Sequence, residues 1–317
     1  MLYLDNMFFR ALLIVILFSL SAFAGPVSLS LPDSLMALSE EVTRLTMSLR
    51  YDDALATAKR IRKADEGVGC IIENVVRISL FDDCGDTLSL QHAGRELEEC
   101  KSTGMWDALR KFELGYVQVE MGRSVAGAMT TRSAAKLFEE SRDLDARAFY
   151  AIYAYYMDKL FSWVPFKSDR RAEYLAVLDS ASAKSERFWP LFLTSLAWMY
   201  YDKEDFNTGL KFLQRGLGKA PGHPVLLQLR ADMLYRLKRY GEAAQIYEAS
   251  AVDYMKRTGK SIRYWCSVLN LIRIYHDAGD KARAAEWRAK LKDPVYESMK
   301  SWMPESLMDD LNSRSLL

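Results

Sequence analysis

Residues 190–257 read PLFLTSLAWMYYDKEDFNTGLKFLQRGLGKAPGHPVLLQLRADMLYRLKRYGEAAQIYEASAVDYMKR, and this stretch decides the fold. Leu193, Leu196, Ala197 and Tyr200 fall on one helical face, and Gly209, Leu213 and Pro221 follow on a second helix and at its end. The order starts again 34 residues later with Leu227, Ala231 and Leu234, then Ala243 and Tyr247. Ala197 facing Gly209, and Ala231 facing Ala243, would let two antiparallel backbones come close. Leu196, Tyr200, Leu213, Leu234 and Tyr247 would fill the space beside those contacts.

This spacing resembles the tetratricopeptide repeat, whose period is 34 residues and whose unit is a helix pair unable to bury its apolar face alone. Two positions depart from the pattern: Arg230 replaces an apolar residue and Met255 replaces the terminal proline. A third unit, Val268, Leu271, Ile272 and Tyr275 with Ala284, begins after 41 residues. Its interval from Tyr275 to Ala284 is nine residues, as it is from Tyr200 to Gly209 and from Leu234 to Ala243. The seven extra residues fall around Tyr254–Ser261, which predicts a longer second helix there. The clear repeats are 190–223, 224–257 and 265–294, with degenerate helix pairs over 33–189. The resulting expectation is an all-α chain, an α-solenoid superhelix of about seven antiparallel helix pairs with a C-terminal capping helix over Val295–Leu311.

Pattern alone places the earlier helices. Asp33 or Ser34 caps a helix Leu35–Leu49, and Tyr51–Arg62 returns. The apolar run Val68–Phe81 is long enough for a buried helix rather than a strand, and Leu88–Lys101 returns from a turn near Gly85. Cys70 and Cys100 stand equally far from Gly85, so that hairpin predicts a Cys70–Cys100 disulfide, with Cys84 and Cys266 reduced and packed. Trp106–Met121 is helical, Gly122–Ser133 is rich in small residues and is expected to include a loop longer than a standard repeat turn, and Ala134–Arg142, Leu144–Trp163 and Arg170–Lys184 complete the degenerate pairs. No proline interrupts Asp33–Val164, and Pro190, Pro221, Pro224 and Pro294 fall at unit boundaries.

Ala11–Phe23 is an apolar run ending in Ala22-Phe23-Ala24, an A-x-A cleavage site, so residues 1–24 read as an export signal. Asp5 spoils the usual basic start, and initiation at Met7 gives a better one; Met1 and Met7 both remain open. The expectation is a chain that is periplasmic or extracellular after cleavage near Ala24, with no transmembrane segment beyond the signal. The 43 basic and 42 acidic residues are interspersed, which leaves no electrostatic footprint for nucleic acid.

No set of residues reads as catalytic, and neither cofactor nor metal is expected. His92, His223 and His276 are scattered, with His223 expected to be exposed in a loop between prolines. Thr258-Gly259-Lys260-Ser261 and Gly216-Leu217-Gly218-Lys219 end like phosphate loops. Tyr254 and Ala220, however, replace the first glycine and the magnesium-binding hydroxyl. Asp82, Asp83 and Asp86 read as a solvated helix-terminal loop. The aromatic run Phe149, Tyr150, Tyr153, Tyr155, Tyr156, Phe161, Trp163 and Phe166 has two readings, a packed central helix or a ligand surface with Tyr153 and Tyr156 in a pocket.

The resemblance implies that first helices line a concave groove. It selects Thr194, Trp198, Tyr201 and Asp202, then Gln228, Asp232, Tyr235 and Arg236, then Leu269, Arg273, His276 and Asp277 as ligand-facing. The Lys, Asn and Arg carboxylate clamp of the chaperone-binding members is missing, since Trp198, Asp202 and Asp232 stand instead. The expected function is an exported scaffold binding a protein or peptide partner in this groove. The alternative is a periplasmic small-ligand-binding accessory protein of a transporter or envelope assembly, using the aromatic helix 149–166.

Overall fold

The computed structural model describes residues 28–163 and 168–317. The export signal and its cleavage site lie outside the described residues, as does Phe166. The described residues form sixteen α-helices and no strand. They are α1 (Asp33–Met47), α2 (Tyr51–Ala64), α3 (Glu66–Cys84), α4 (Thr87–Glu99), α5 (Gly104–Glu120), α6 (Ser124–Glu139), α7 (Leu144–Leu160) and α8 (Arg171–Lys184). There follow α9 (Trp189–Asp202), α10 (Phe206–Lys219), α11 (Pro224–Arg236), α12 (Tyr240–Thr258), α13 (Ile262–Asp277), α14 (Lys281–Ala289), α15 (Pro294–Met299) and α16 (Glu305–Ser313). The first fourteen are seven consecutive pairs, the architecture of an α-solenoid.

Five pairs share one internal turn. Leu49, Gly122, Glu204, Lys238 and Gly279 all have φ between 57° and 80°. In each case the next residue donates its N–H back across the turn: Arg50 to Leu45, Arg123 to Gln118, Asp205 to Tyr200, Arg239 to Leu234 and Asp280 to Tyr275. This is the left-handed helix stop that satisfies carbonyls at a C-terminus. Each turn residue lies seven after a buried residue on the first helix and five before a small one on the second: Val42 and Ala54, Gly115 and Gly127, Ala197 and Gly209, Ala231 and Ala243, Ile272 and Ala284. The third pair is the tightest. A Cβ on Gly127 would stand 2.6 Å from the Gly115 carbonyl oxygen, and one on Gly115 2.9 Å from that of Gly127.

That contact corrects the loop expected at Gly122–Ser133. The small residues there let α6 lie against α5, and α6 begins at Ser124 directly after the turn. The capping helix is also broken, into α15 and α16, because Pro304 has no N–H to give a helix interior and instead caps α16. Pro32, not Asp33, stands at the start of α1, its carbonyl accepting from Leu35 and Met36. The extended second helix of the sixth pair is present: α12 runs 19 residues, and Tyr247 and Tyr254, two turns apart, are both buried.

The chain divides into two compact units. One contains the described residues up to Ser79 together with Thr87–Leu196; the other contains Leu80–Asp86 and Ala197–Leu317. The first is organised on Phe149, whose ring centroid lies 5.2–5.4 Å from those of Phe112, Phe138, Phe188 and Phe192. Cys70 of α3 and Cys100, just beyond α4, are joined by a disulfide with Cα atoms 6.3 Å apart. Cys84 and Cys266 are free thiols, half-buried and buried. In the second unit Ala231, Leu234, Ala243, Tyr247, Leu271, Ile274 and Tyr275 form a continuous core. Here the end of α3 contributes Phe81, edge-on to Trp302 at 5.7 Å, and Asp83, paired with Arg263 at 3.0 Å.

Two outcomes follow from this geometry. Lys238 is an exposed non-glycine residue at φ 60°. Lys238→Gly should therefore raise stability by about 0.5–1 kcal/mol, and Gly279→Ala should lower it by about 1 kcal/mol, as read by urea midpoints. The disulfide closes a segment with a sequence separation of 30. Cys70→Ser with Cys100→Ser should cost about 3–4 kcal/mol by the loop-closure relation. Reductant should lower the wild-type midpoint to that of the double variant and leave the variant unchanged.

Candidate functional site

On the first helices of the C-terminal unit, polar side chains at matching heights pair from one helix to the next. Tyr201 on α9 is buried, its ring 5.4 Å from Trp198 and 5.3 Å from Phe206. The Arg236 guanidinium of α11 sits 5.5 Å from the Tyr201 ring and 5.3 Å from that of Phe206, and its Nη2 lies 3.3 Å from Glu204 Oε1. Burial, reinforced by the Asp232 carboxylate, pushes the Tyr201 hydroxyl up to about 12 against the opposing charges of Arg236 and Arg273.

From α11 the chain of contacts continues to α13. The Tyr247 hydroxyl donates to Asp232 Oδ1 at 2.6 Å, and Arg273 Nη2 lies 3.9 Å from the same oxygen. Arg273 is the centre of the network. It donates to Asn270 Oδ1 at 2.5 Å, lies 4.2 Å from the Tyr235 ring centroid, and faces Asp310 of α16 at 3.7 Å. Tyr235 in turn donates to Asp277 Oδ2 at 2.7 Å. Arg314 grips both oxygens of Asp277 at 2.7 and 2.9 Å, and His276 Nδ1 is 3.1 Å from Oδ1. Burial alone would raise the Asp277 carboxyl, but the hydrogen bonds from Tyr235, His276 and Arg314 hold it below the usual range.

The residues selected by resemblance thus divide. Tyr201, Gln228 and Arg273 are buried, with Gln228 Nε2 3.4 Å from Ser267 Oγ. Asp232 and Tyr235 are half-buried and bonded to neighbouring helices, and Leu269 is core. Trp198 and Asp202 are half-buried, and Arg236 and His276 are exposed. Thr194 belongs to the N-terminal unit and is half-buried on α9. The periodicity that selected these positions carries no information about α16, whose Asp310 and the following Arg314 occupy Arg273 and Asp277.

Tyr153 and Tyr156 lie on α7 in the N-terminal unit, half-buried and buried. Tyr156 meets Tyr155 edge-on at 5.4 Å, and burial raises the Tyr153 hydroxyl above its ordinary value. Tyr150 donates to Glu139 at 2.8 Å, and Trp163 is 75% exposed. His223, expected at the surface, is 7% exposed, and burial lowers its imidazole to about 4, so the ring is neutral. It precedes Pro224, and the start of α11 folds it inward. Among the described residues no group of three His, Cys, Asp or Glu side chains is placed to hold a metal ion, and no helix is long and apolar enough to cross a membrane.

Removing the central arginine tests the network. Arg273→Ala removes the buried cation that faces Asp232, while Asp310 keeps Arg314 at 2.8 Å, and should cost about 3 kcal/mol in urea unfolding. The exposed Arg236→Ala should cost under about 1 kcal/mol.

No family model matches the sequence, and no curated protein is similar to it in sequence. Among solved structures, the fold is similar to that of a Rap protein complexed with Competence and Sporulation Factor. That match has 16% identity and a TM-score of 0.52, covering 90% of this chain and 88% of that one. Human IFIT1 dimers with PPP-AAAA and with m7Gppp-AAAA match at 16% and 15% identity, with TM-scores of 0.36 and 0.37; each covers 86% of this chain and 76% of that one. At such identities the Rap likeness is one of fold. That fold is a helical-repeat solenoid, and its fifth and sixth pairs recur at a 34-residue spacing, the period of the tetratricopeptide repeat.

Proposed function

We propose that this chain is an exported, non-enzymatic scaffold that captures an extended segment of a partner protein on the first-helix face of its C-terminal unit. The observation that carries this reading is the arrangement around Tyr201. Arg236 is exposed and lies against the Tyr201 and Phe206 rings, and the Trp198 ring meets Tyr201 edge-on at 5.4 Å. A cation held against aromatic rings offers charge and rigid apolar area together, the combination that dominates binding energy at protein interfaces. Supporting it, the Rap protein of similar fold was solved with Competence and Sporulation Factor. The run Ala11–Ala24 supports export. The small-ligand alternative draws less support, because Phe149, Tyr155 and Tyr156 of the aromatic helix are taken up in packing.

Pull-down from envelope extract should recover a partner with the wild-type chain and lose it with Trp198→Ala plus Arg236→Ala. Helical circular dichroism should stay unchanged, because neither side chain is fully buried. Equal recovery by the double variant would refute the groove.

A further inference from the structure

The first described residues form a short non-helical strap ahead of α1, and one of its side chains is inside the protein. Leu29 is 1% exposed, while Ser28 and Ser30 on either side are exposed. The main chain of Leu29 is held at both ends by side chains from far along the sequence. Its N–H donates to Asp143 Oδ2 at 3.3 Å, and its carbonyl accepts from Arg187 Nη2 at 2.5 Å. Ser28 Oγ also donates to Asp143 Oδ2, at 2.6 Å, and Ser30 N–H closes back on Ser28 Oγ at 3.1 Å.

Both holding groups are fixed by contacts other than the strap. Asp143 caps α7, its Oδ1 accepting from the N–H groups of Asp145 and Ala146 at 2.9 and 3.1 Å, which leaves Oδ2 for the strap. Arg187, in the connection between α8 and α9, is 4% exposed, with its guanidinium 5.3 Å from the Trp106 ring and 4.8 Å from that of Phe188. Among the described residues its Nη1 is buried without a hydrogen-bond partner. Tying down a short segment ahead of a helix does not require a desolvated arginine, and still less one with a donor left over. Pre-set groups that take one residue's N–H and C=O while a pocket takes its side chain are how proteins read extended peptides.

We propose that Asp143, Arg187 and the site that buries Leu29 form a second peptide-binding site, for an extended segment presenting one aliphatic side chain between small polar residues, and that Ser28–Ser30 is its tethered occupant. A tether of this kind acts at an effective concentration on the millimolar scale, so a free segment must displace the strap in order to bind. The spare Arg187 donor favours a segment that also brings an acceptor to Nη1. This site lies within the N-terminal unit and does not rest on the groove reading.

The test uses full-length protein and a fluorescein-labelled peptide with the sequence of residues 25–33, GPVSLSLPD. Leu29→Asp places a carboxylate where no water reaches and should expel the strap. Fluorescence anisotropy should then show the peptide binding the Leu29→Asp protein at least tenfold more tightly than the wild type. Arg187→Met added to Leu29→Asp should remove at least tenfold of that affinity, as should Ser in place of the probe's first leucine. Asp143→Asn serves as the second variant if loss of Arg187 prevents folding, which circular dichroism would show. Adding Trp198→Ala and Arg236→Ala should leave peptide binding unchanged. A folded Leu29→Asp protein that ignores the peptide, or binds the Ser probe equally well, would overturn the proposal. So would dimerisation of the wild type through this segment, which would make the site an exchange point between copies.

Discussion

The structure depends on how closely two antiparallel helices can approach within a pair. Gly115 and Gly127 show the limit, since each would place a Cβ against the other's carbonyl oxygen. An approach that close fixes where the chain must turn, and in five pairs it turns through a left-handed residue seven positions after the buried one. Once contact and turn are set, the large residues on either side have only one space to fill. Tyr200 stacking on Phe212 at 5.3 Å and Tyr247 packed under Asp232 are results of that constraint. Glu204 and Lys238 accept the backbone cost of φ near +60° because the hydrogen bonds on both sides of the turn over-determine it.

The pairs are joined to one another by different chemistry. Within a pair the contact is apolar and tight; across the first helices of the C-terminal unit it is a succession of tyrosine, carboxylate and guanidinium. Arg273 has Asn270, Asp232 and Asp310 within reach, so three stretches of sequence converge on one cation. Such a site is costly to assemble and costlier to leave incomplete. It therefore sets the order of α11, α13 and α16 more sharply than interchangeable leucines would.

Local spacing carried the repeat register and the long second helix at Tyr240–Thr258, because both are statements about which residues recur on one helical face. It failed where the deciding partner is remote. The small residues at Gly122–Ser133 read as loop until Gly115, on the preceding helix, shows that they are packing. Arg273 read as ligand-facing because its position in the first helix is the groove position, yet Asp310, on the capping helix, turns it into structure. His223 read as exposed because it sits in a loop between two prolines, yet it is buried at the start of α11. The grip on Leu29 spans 114 residues to Asp143 and 158 to Arg187, and no periodicity reaches that far. Of the positions picked out by the repeat pattern, Trp198 is half-buried and Arg236 exposed.

The 19-residue α12 shows how such a chain can grow. It is five residues longer than α10, and the rest of the repeat's seven-residue surplus falls across the connection to α13 and that helix's first turn. Tyr254 stands seven residues after Tyr247, almost two whole turns with a residual rotation of roughly 20°, so it emerges on the same face and both rings are buried. Length added to one helix is thus absorbed along its axis: the layer becomes taller while its inward side stays inward.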